Sequence, residues 1–442
     1  MPSELDNILI SYDQSDFPGR LEGFFLSKAG MAHFGFGEEH IENRKKVEAI
    51  LNDIADNGDK AISKYTEQFD EVKLSPGQFR ITQEELKKAH KQIDKKLLAS
   101  IKQAIENVRK YQQEVFRGNN KDCSGGTGIK YTPIKRIGIC VPGASAPLPS
   151  TVIMTAVPAQ IAGVKEIVVV SPPRYEGSIH PVILAVCHEL KITEVYRIGG
   201  AQAVAALANG TKKIVQVDKI VGPGNQWVQT AKRIVFGQVG IDSIAGPSEV
   251  LIIANDSANP AWVAADMLSQ AEHNPGCAHL FTDSKEFANK ALEALKKQVK
   301  KLNHSEETIK CLEQFGGIVV FEDMEDLIEN ANKFAAEHLQ IQCGDKSKAI
   351  AEKIQNAGAI FIGEYSPVAV GDYWAGPSHT LPTGISAHFF SALSSNDFVK
   401  STSIIEYSKE QLAADADDII RLAEIEGLDA HAKSVEIRQQ NK

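Results

Sequence analysis

The feature that most limits the fold of this chain is a regular alternation of short apolar segments and helical segments, which begins at Arg136. Residues 137–141 have the composition of a buried strand, and a glycine-containing turn and a helix from about residue 150 follow them. The same order of strand, turn and helix recurs through residue 238 and again from residue 239 to about residue 384. Strands that alternate with helices predict parallel, doubly wound sheets. We therefore predict an α/β protein.

The composition argues against several classes of protein. The 442 residues carry a formal net charge of -9 without a long basic block, which disfavours nucleic acid as a partner. The six cysteines form no Cys-x-x-Cys pair, which disfavours thiolate zinc sites and disulfide frameworks and fits a reducing compartment. No apolar run reaches the ~18 residues needed to cross a bilayer, and no signal-peptide pattern is present. We expect a cytoplasmic protein without nucleic-acid or membrane partners.

Three glycine-containing turns follow successive predicted strands, at residues 142–147, 199–202 and 222–225. Glycines at such turns let backbone N–H groups approach a phosphate at a helix N-terminus, so the turns favour a nucleotide ligand. The Gly-x-Gly-x-x-Gly dinucleotide motif is absent. Gln202 and Asn225 are placed to hydrogen-bond a ribose or an amide, although both could instead cap helices.

A second candidate site is the end of a predicted helix over residues 261–273, which Asn274-Pro275-Gly276 terminates. Gln270 and His273 are three residues apart and would share one face of the helix. An amide oxygen and an imidazole on one face resemble half of a metal site. A histidine at a helix end is more often a cap or a surface residue, so the remaining ligands must come from elsewhere in the chain.

Eight sequence blocks, in their order, resemble those of the histidinol dehydrogenase family over essentially the full length of the chain. The blocks are VPGASAPLPSTV, IGGAQAVAALA, VDKIVGPGN, AGPSEVLIIA, LSQAEH, AEHLQIQ, VAVGDYWAGPSHTLPTG and EGLDAH. The family commonly has a tyrosine where this chain has Cys140. The resemblance therefore implies an altered contact with the cofactor at that position.

The resemblance implies a full set of site residues. The implied zinc ligands, for one zinc per subunit, are Gln270, His273, Asp372 and His431. Glu337 and His338 match the catalytic pair. Contacts to NAD are implied for Cys140, Gln202 and Asn225. Substrate contacts are implied for Ser248, Gln270, His273, His338, Asp372, His379, Glu426 and His431.

The pattern and the resemblance together predict two doubly wound, Rossmann-like domains, an irregular N-terminal arm and a small helical C-terminal tail. The arm spans residues 1–40 and the tail spans residues 385–442. The first domain, which holds the metal and catalytic residues, spans 41–135 and 239–384. The second domain, which binds NAD, spans 136–238. In the family the zinc ligand at the position of His431 comes from the tail of the other subunit. We therefore expect a homodimer with active sites shared between subunits.

The implied reaction is a four-electron oxidation of L-histidinol to L-histidine with two NAD+, through a bound histidinaldehyde, at the end of histidine biosynthesis. A neutral imidazole can accept the hydroxyl proton near pH 7, which suits His338 as the base for alcohol oxidation. Glu337 would activate water for aldehyde oxidation.

Two other functions are compatible with parts of the pattern. A dehydrogenase of the same fold could oxidise another polar alcohol, such as a sulfonated diol. An anionic substrate should bring a lysine or arginine into residues 371–384, and none occurs there. A zinc-bound structural dimer without turnover would have no need of Glu337 and His338 together.

Overall fold

The computed structural model describes residues 4–31, 38–143, 146–273 and 275–439. The chain falls into two compact units, of which the first is Met1–Phe116 with Ile134–Phe398 and the second is Arg117–Pro133 with Val399–Lys442. The sheets of the first unit are parallel and flanked by helices, so the predicted α/β class is confirmed. The predicted division into an arm, two domains and a dimerisation tail stays a prediction.

The N-terminal part of the first unit contains more regular structure than we predicted. Its elements are β1 (Leu9–Ser11), α1 (Phe17–Met31), α2 (Glu38–Asn57), α3 (Asp59–Asp70), α4 (Gln83–Gln92) and α5 (Lys95–Val115). Strand β1 and helix α1 both lie within the arm that was expected to be irregular. The three residues of β1 are too few to show a strand periodicity. Helix α4 begins at the capping box that Thr82 and Glu85 form, because each side chain bonds the backbone N–H of the other residue.

Five parallel strands form the sheet from which the three glycine turns emerge. After β2 (Lys121–Cys123) and β3 (Thr127–Pro133), the elements are β4 (Arg136–Cys140), α6 (Pro149–Ala162), β5 (Glu166–Val170), α7 (Pro181–Glu189), β6 (Glu194–Tyr196), α8 (Gly200–Asn209), β7 (Lys219–Val221), α9 (Gln226–Val235) and β8 (Gly240–Ile241). The strand order is β6-β5-β4-β7-β8. The order reverses between β4 and β7, where doubly wound sheets form a ligand crevice.

A second parallel sheet repeats this order. Its elements are β9 (Ser248–Ala254), α10 (Pro260–Ala271), β10 (Gly276–Thr282), α11 (Lys285–Val299), α12 (Ser305–Phe315), β11 (Gly316–Val320), α13 (Met324–Phe334), β12 (His338–Gln342), α14 (Ser347–Ala351), β13 (Ala359–Ile362) and α15 (Val368–Tyr373). The order is β1-β11-β10-β9-β12-β13, so β1 extends one edge and the reversal lies between β9 and β12.

Strand β9 shows why this second sheet is buried on both faces. Val250 and Ile252 pack into the core beneath α10 and α11, whereas Leu251 and Ile253 pack into the core on the side of α13. Successive side chains of a strand point to opposite faces, so a continuous apolar run requires cover on both sides.

The second unit is built on antiparallel pairing of β3 with β14 (Val399–Ile405). Strand β2 extends this small sheet on the other side of β3. Two helices complete the unit, α16 (Lys409–Ile425) and α17 (Asp429–Gln439). Among the helices of the described residues, none is both long and apolar enough to cross a membrane.

Candidate active site

A cavity of about 530 Å³ lies in the first unit where the two parallel sheets face each other. The described residues of the glycine turns, which exclude 144 and 145, reach it from the carboxyl ends of β4, β6 and β7, whereas β9 and β12 reach it with their amino ends. Nine predicted site residues line the cavity: Cys140, Asn225, Ser248, Gln270, His273, Glu337, His338, Asp372 and His379. The fold therefore brings together residues that are up to about 240 positions apart in the sequence.

His338 is the first residue of β12 and Glu337 directly precedes it, beside the start of β9. The Nδ1 atom of His338 lies 2.9 Å from the backbone oxygen of Glu249, which can only accept a hydrogen bond. The proton of a neutral ring is therefore assigned to Nδ1, and the lone pair is on Nε2. Nε2 is buried without a hydrogen-bond partner and lies 3.6 Å from Oδ1 of Asp372. His338 thus presents a basic nitrogen towards Asp372.

The carboxyl group of Glu337 is held in the same place by the backbone. Its Oε2 atom accepts a hydrogen bond of 2.8 Å from the N–H of Glu249 and lies 3.5 Å from Nδ1 of His338. Burial raises the pKa of Glu337, the Glu249 and Asp372 carboxylates raise it further, and His338 opposes the rise. Burial alone would lower the pKa of His338, but the Glu337 and Asp372 carboxylates outweigh burial and raise it. Both groups therefore become stronger bases than usual once deprotonated.

Asp372, on the short helix α15, lies among several histidines. Burial would raise the pKa of Asp372, but His338, His379 and His273 together hold it below its ordinary value. His379 itself has a pKa lowered by burial, which favours the neutral ring. A carboxylate beside imidazoles is a donor set suited to zinc.

Gln270 and His273 both reach the cavity, but not from one helix face as predicted. Helix α10 ends at Ala271, and His273 lies in the following turn, with its N–H bonded to the Gln270 carbonyl at 3.2 Å. Of the predicted terminator, Asn274 lies outside the described residues. Gly276 is required here, because a Cβ atom would lie 1.9 Å from the Gln270 carbonyl oxygen. The helix therefore ends earlier than the apolar periodicity indicated.

The Oε1 atom of Gln270 is buried without a hydrogen-bond partner. A buried amide oxygen without a partner is costly, and a metal ion would satisfy it. In the described part of the chain, no group of three or more His, Cys, Asp and Glu residues is arranged to hold a metal. Of the predicted ligands in the first unit, only His273 and Asp372 belong to those residue types. His273 and Asp372 therefore fit a metal site that is completed by the amide oxygen of Gln270 and by one further ligand.

The third glycine turn is fixed by a buried ion pair. The ammonium of Lys232, 2.5 Å from Oδ1 of Asp242, also donates to the Gly222 carbonyl at 3.0 Å. The Gly222 N–H donates to Oδ2 of Asp242 at 2.7 Å. A Cβ at Gly222, whose φ is +106°, would lie 2.3 Å from the backbone oxygen of Cys140. This turn therefore brings the backbone after β7 into contact with the last residue of β4.

A second cavity, of about 660 Å³, adjoins the first at Pro172, Gly200 and Asn225. Gln202 lines it, with its Oε1 atom buried and without a partner. Asn225 caps α9 by accepting from the N–H groups of Trp227 and Val228, which was the alternative interpretation of this residue. The stacked rings of Tyr65 and Phe69 line another wall. Cys140 lines only the first cavity, where burial raises the pKa of its thiol to about 12, so the thiol stays protonated.

The two remaining predicted residues belong to the second unit. Glu426 caps the end of α16, and His431 lies in the first turns of α17. Both side chains are exposed in this chain. The predicted contribution of His431 from a partner subunit stays a prediction.

Glu249 is a buried site residue that the sequence analysis did not single out. It is 2% exposed, and its carboxylate accepts hydrogen bonds from the N–H groups of Gly384 and Glu337. A carboxylate at the start of the apolar run 250–254 was the available signal, because an ionisable residue in a buried strand must be paired.

Comparisons with known proteins point in one direction. The family model described as histidinol dehydrogenase matches residues 37–439. Histidinol dehydrogenase of Oceanobacillus iheyensis is 47% identical over 397 residues, which cover 89% of this chain and 92% of the relative. That of Carboxydothermus hydrogenoformans is 44% identical over 409 residues, covering 92% of this chain and 95% of the relative. The crystal structure of histidinol dehydrogenase from Elizabethkingia anophelis has a TM-score of 0.88 and 33% identity, and the match covers 98% of each chain.

Proposed function

Because the chain belongs to the histidinol dehydrogenase family and is an NAD-dependent oxidoreductase of histidine biosynthesis, we propose that it carries out both oxidations of L-histidinol in the cavity of about 530 Å³. The observation that carries this proposal is the orientation of His338. Its Nδ1 is engaged by the Glu249 carbonyl, which leaves Nε2 as the base beside Asp372. A base at this point can take a proton from a substrate hydroxyl.

Zinc and NAD would both be held by residues that line these cavities. Gln270, His273 and Asp372, with the partner subunit's His431, would hold one zinc ion per subunit, and the partnerless Oε1 of Gln270 supports this assignment. Gln202 and Asn225 would contact NAD, with its adenosine half against Tyr65 and Phe69 in the second cavity. Zinc supplies a Lewis acid that anchors a nitrogenous substrate, and NAD supplies a hydride acceptor.

In the first oxidation His338 acts as general base. Nε2 accepts the hydroxyl proton of histidinol while the carbon loses a hydride, so the alcohol becomes an aldehyde. The hydrogen bond from Nδ1 to the Glu249 carbonyl keeps the ring in this orientation. Ser248 and His379 would contact the substrate from the start of β9 and from the loop after α15. Glu426 of the partner subunit would complete the substrate contacts.

In the second oxidation Glu337 acts as general base. Its carboxylate accepts a proton from water as the water oxygen bonds to the aldehyde carbon, and the hydrate then loses a second hydride to give the carboxylate of histidine. Across both steps one alcohol and one water yield one carboxylate, two hydrides and three protons. The raised pKa of Glu337 makes its ionised form a stronger base for this step.

The direct test is the number of NADH molecules formed from each L-histidinol. We expect about two, because each NAD+ accepts one hydride. A chelator should abolish the reaction and Zn2+ should restore it. If histidinol gave no NADH while a sulfonated diol did, the substrate assignment would pass to the other polar alcohols. NADH formation that survived complete removal of the metal would contradict the role given to zinc.

A homodimer would explain an exposed apolar surface on the first unit. The edge strand β13 exposes Ile360 and Ile362, and Tyr365 beyond it is 78% exposed and in edge contact with Trp262. Large exposed apolar patches mark interaction sites. A second copy of the chain would cover this surface and supply the partner's His431.

Shared active sites can be tested with two inactive variants. His338→Ala and His431→Ala damage different parts of the site, so a heterodimer of the two would have one intact site and one doubly damaged site. We expect each homodimer to be inactive and the heterodimer, purified through two different tags, to have about half of the wild-type activity per dimer. An inactive heterodimer would show that each site is built from a single subunit.

A cytoplasmic location also belongs to this proposal. Its support is the state of the six cysteines, none of which forms a disulfide in the described residues. Five of them are buried, and Cys123 is exposed. An exposed thiol persists most readily in a reducing compartment.

A further inference from the structure

Glu249 connects three parts of the site through different atoms. Its backbone N–H donates to Glu337 and its backbone carbonyl accepts from His338. Its side-chain carboxylate does something separate, because Oε1 accepts from the N–H of Gly384 and Oε2 accepts from the N–H of Glu337 at 3.4 Å. A substitution of the side chain therefore leaves the partner of His338 in place.

We propose that Glu249 is a positioning residue for the second oxidation, in which its carboxylate holds the Glu337 backbone at the cavity and acts on the Glu337 carboxyl group through its negative charge. This inference rests on the proposed function of Glu337. It assigns Glu249 to one of the two steps, whereas a purely structural residue would affect both.

Burial makes a structural explanation insufficient for a carboxylate at this position. Glu249 is 2% exposed at the start of a strand whose next residues are apolar. A buried charge is costly, and an apolar side chain of similar volume usually serves a core at least as well. The two backbone N–H groups offset part of that cost, and both belong to segments that carry site residues.

The loop that ends at Gly384 does not depend on Glu249 alone. Ser378 donates to the Met154 carbonyl at 2.9 Å, and the Thr383 hydroxyl accepts from the Gly246 N–H. These contacts keep His379 and its neighbours in place when the Glu249 carboxylate is altered. The effect of Glu249 is therefore concentrated on Glu337.

The charge of Glu249 gives the inference a pH signature. The charged groups that act on the Glu337 carboxyl are the adjacent His338, Glu249 on β9 and Asp372 on α15. Glu249 and Asp372 raise the pKa of Glu337, and His338 lowers it. Removing the Glu249 charge should therefore make Glu337 ionise at a lower pH and become a weaker base.

The test is Glu249→Gln in the full-length, zinc-loaded dimer. Glutamine has the same length but presents one acceptor oxygen, so one of the two N–H groups loses its partner. With histidinaldehyde as substrate we expect kcat to fall about tenfold to a hundredfold and KM to stay within about twofold. The acid limb of that pH profile should move to lower pH. The first hydride transfer from histidinol, measured in a single turnover, should stay within about twofold of wild type.

A matched control is Glu194→Gln, which removes another carboxylate of the first unit. Glu194 binds Arg136 at 2.6 Å. Both residues begin their strands, β6 and β4, and so lie at the end of the five-stranded sheet that is farther from the cavity. The Glu194→Gln variant should have a lower unfolding midpoint but an unchanged ratio of the two oxidation rates. If Glu249→Gln slowed both oxidations equally, or slowed neither, the inference would be overturned. A wild-type protein that makes no NADH from histidinol would instead overturn the proposed function, so the two failures are distinguishable.

Discussion

Replacing His338 with alanine is expected to lower the rate of the first oxidation by about 10²- to 10⁴-fold, the usual contribution of a general base. The reason is that Nε2 of His338 is the basic nitrogen placed beside Asp372, at 3.6 Å. The measurement is the single-turnover formation of the first NADH from histidinol.

A second variant separates the base from its structural role. His338→Asn places an amide N–H where it can still donate to the Glu249 carbonyl, but it has no basic nitrogen. We expect His338→Asn to be as slow as His338→Ala while it unfolds closer to the wild-type midpoint. His304→Ala, which removes an exposed histidine before α12, should leave the rate unchanged. A fast His338→Asn enzyme would rule out His338 as the base.

Replacing Glu337 with glutamine is expected to separate the two oxidations. In the wild type the Glu249 N–H lies 2.8 Å from the Glu337 carboxylate. Glutamine keeps an oxygen that can accept this hydrogen bond, but it cannot take a proton from water. Alcohol oxidation should continue, and aldehyde oxidation should fall by about 10²- to 10⁴-fold. The yield should approach one NADH per histidinol, with histidinaldehyde left on the enzyme. Normal production of histidine by this variant would remove Glu337 from its role.

The same variant should change the pH dependence of the first step. The Glu337 carboxylate helps to raise the pKa of His338, so the neutral imidazole needed for alcohol oxidation forms only at higher pH in the wild type. The rate should therefore rise with pH above neutrality. In Glu337→Gln the acid limb should move to lower pH, because one stabilising charge on the imidazolium is gone. An unchanged profile would mean that the two side chains do not interact electrostatically.

General rules could not predict which ends of the strands carry the catalytic residues. Open α/β sheets usually bind ligands at the carboxyl ends of their strands. The glycine turns obey this rule, because they follow β4, β6 and β7. Glu337 and His338 do not, because they lie at the amino end of β12 and face the turns across the cavity. These residues form a single site only because the carboxyl ends of one sheet's strands face the amino ends of the other sheet's strands.

The sequence by itself determined the α/β class, the glycine turns and the adjacency of Glu337 and His338, since these depend on local periodicity and on neighbours along the chain. Gln270 and His273 are also close for a local reason, although their exact geometry depends on Gly276, which lets the backbone of β10 approach the end of α10. The tertiary structure decided the tautomer of His338 and the position of the Glu249 carboxylate beside Gly384 and Glu337. Those features arise from contacts between strands and helices distant in sequence, whose register no local pattern specifies.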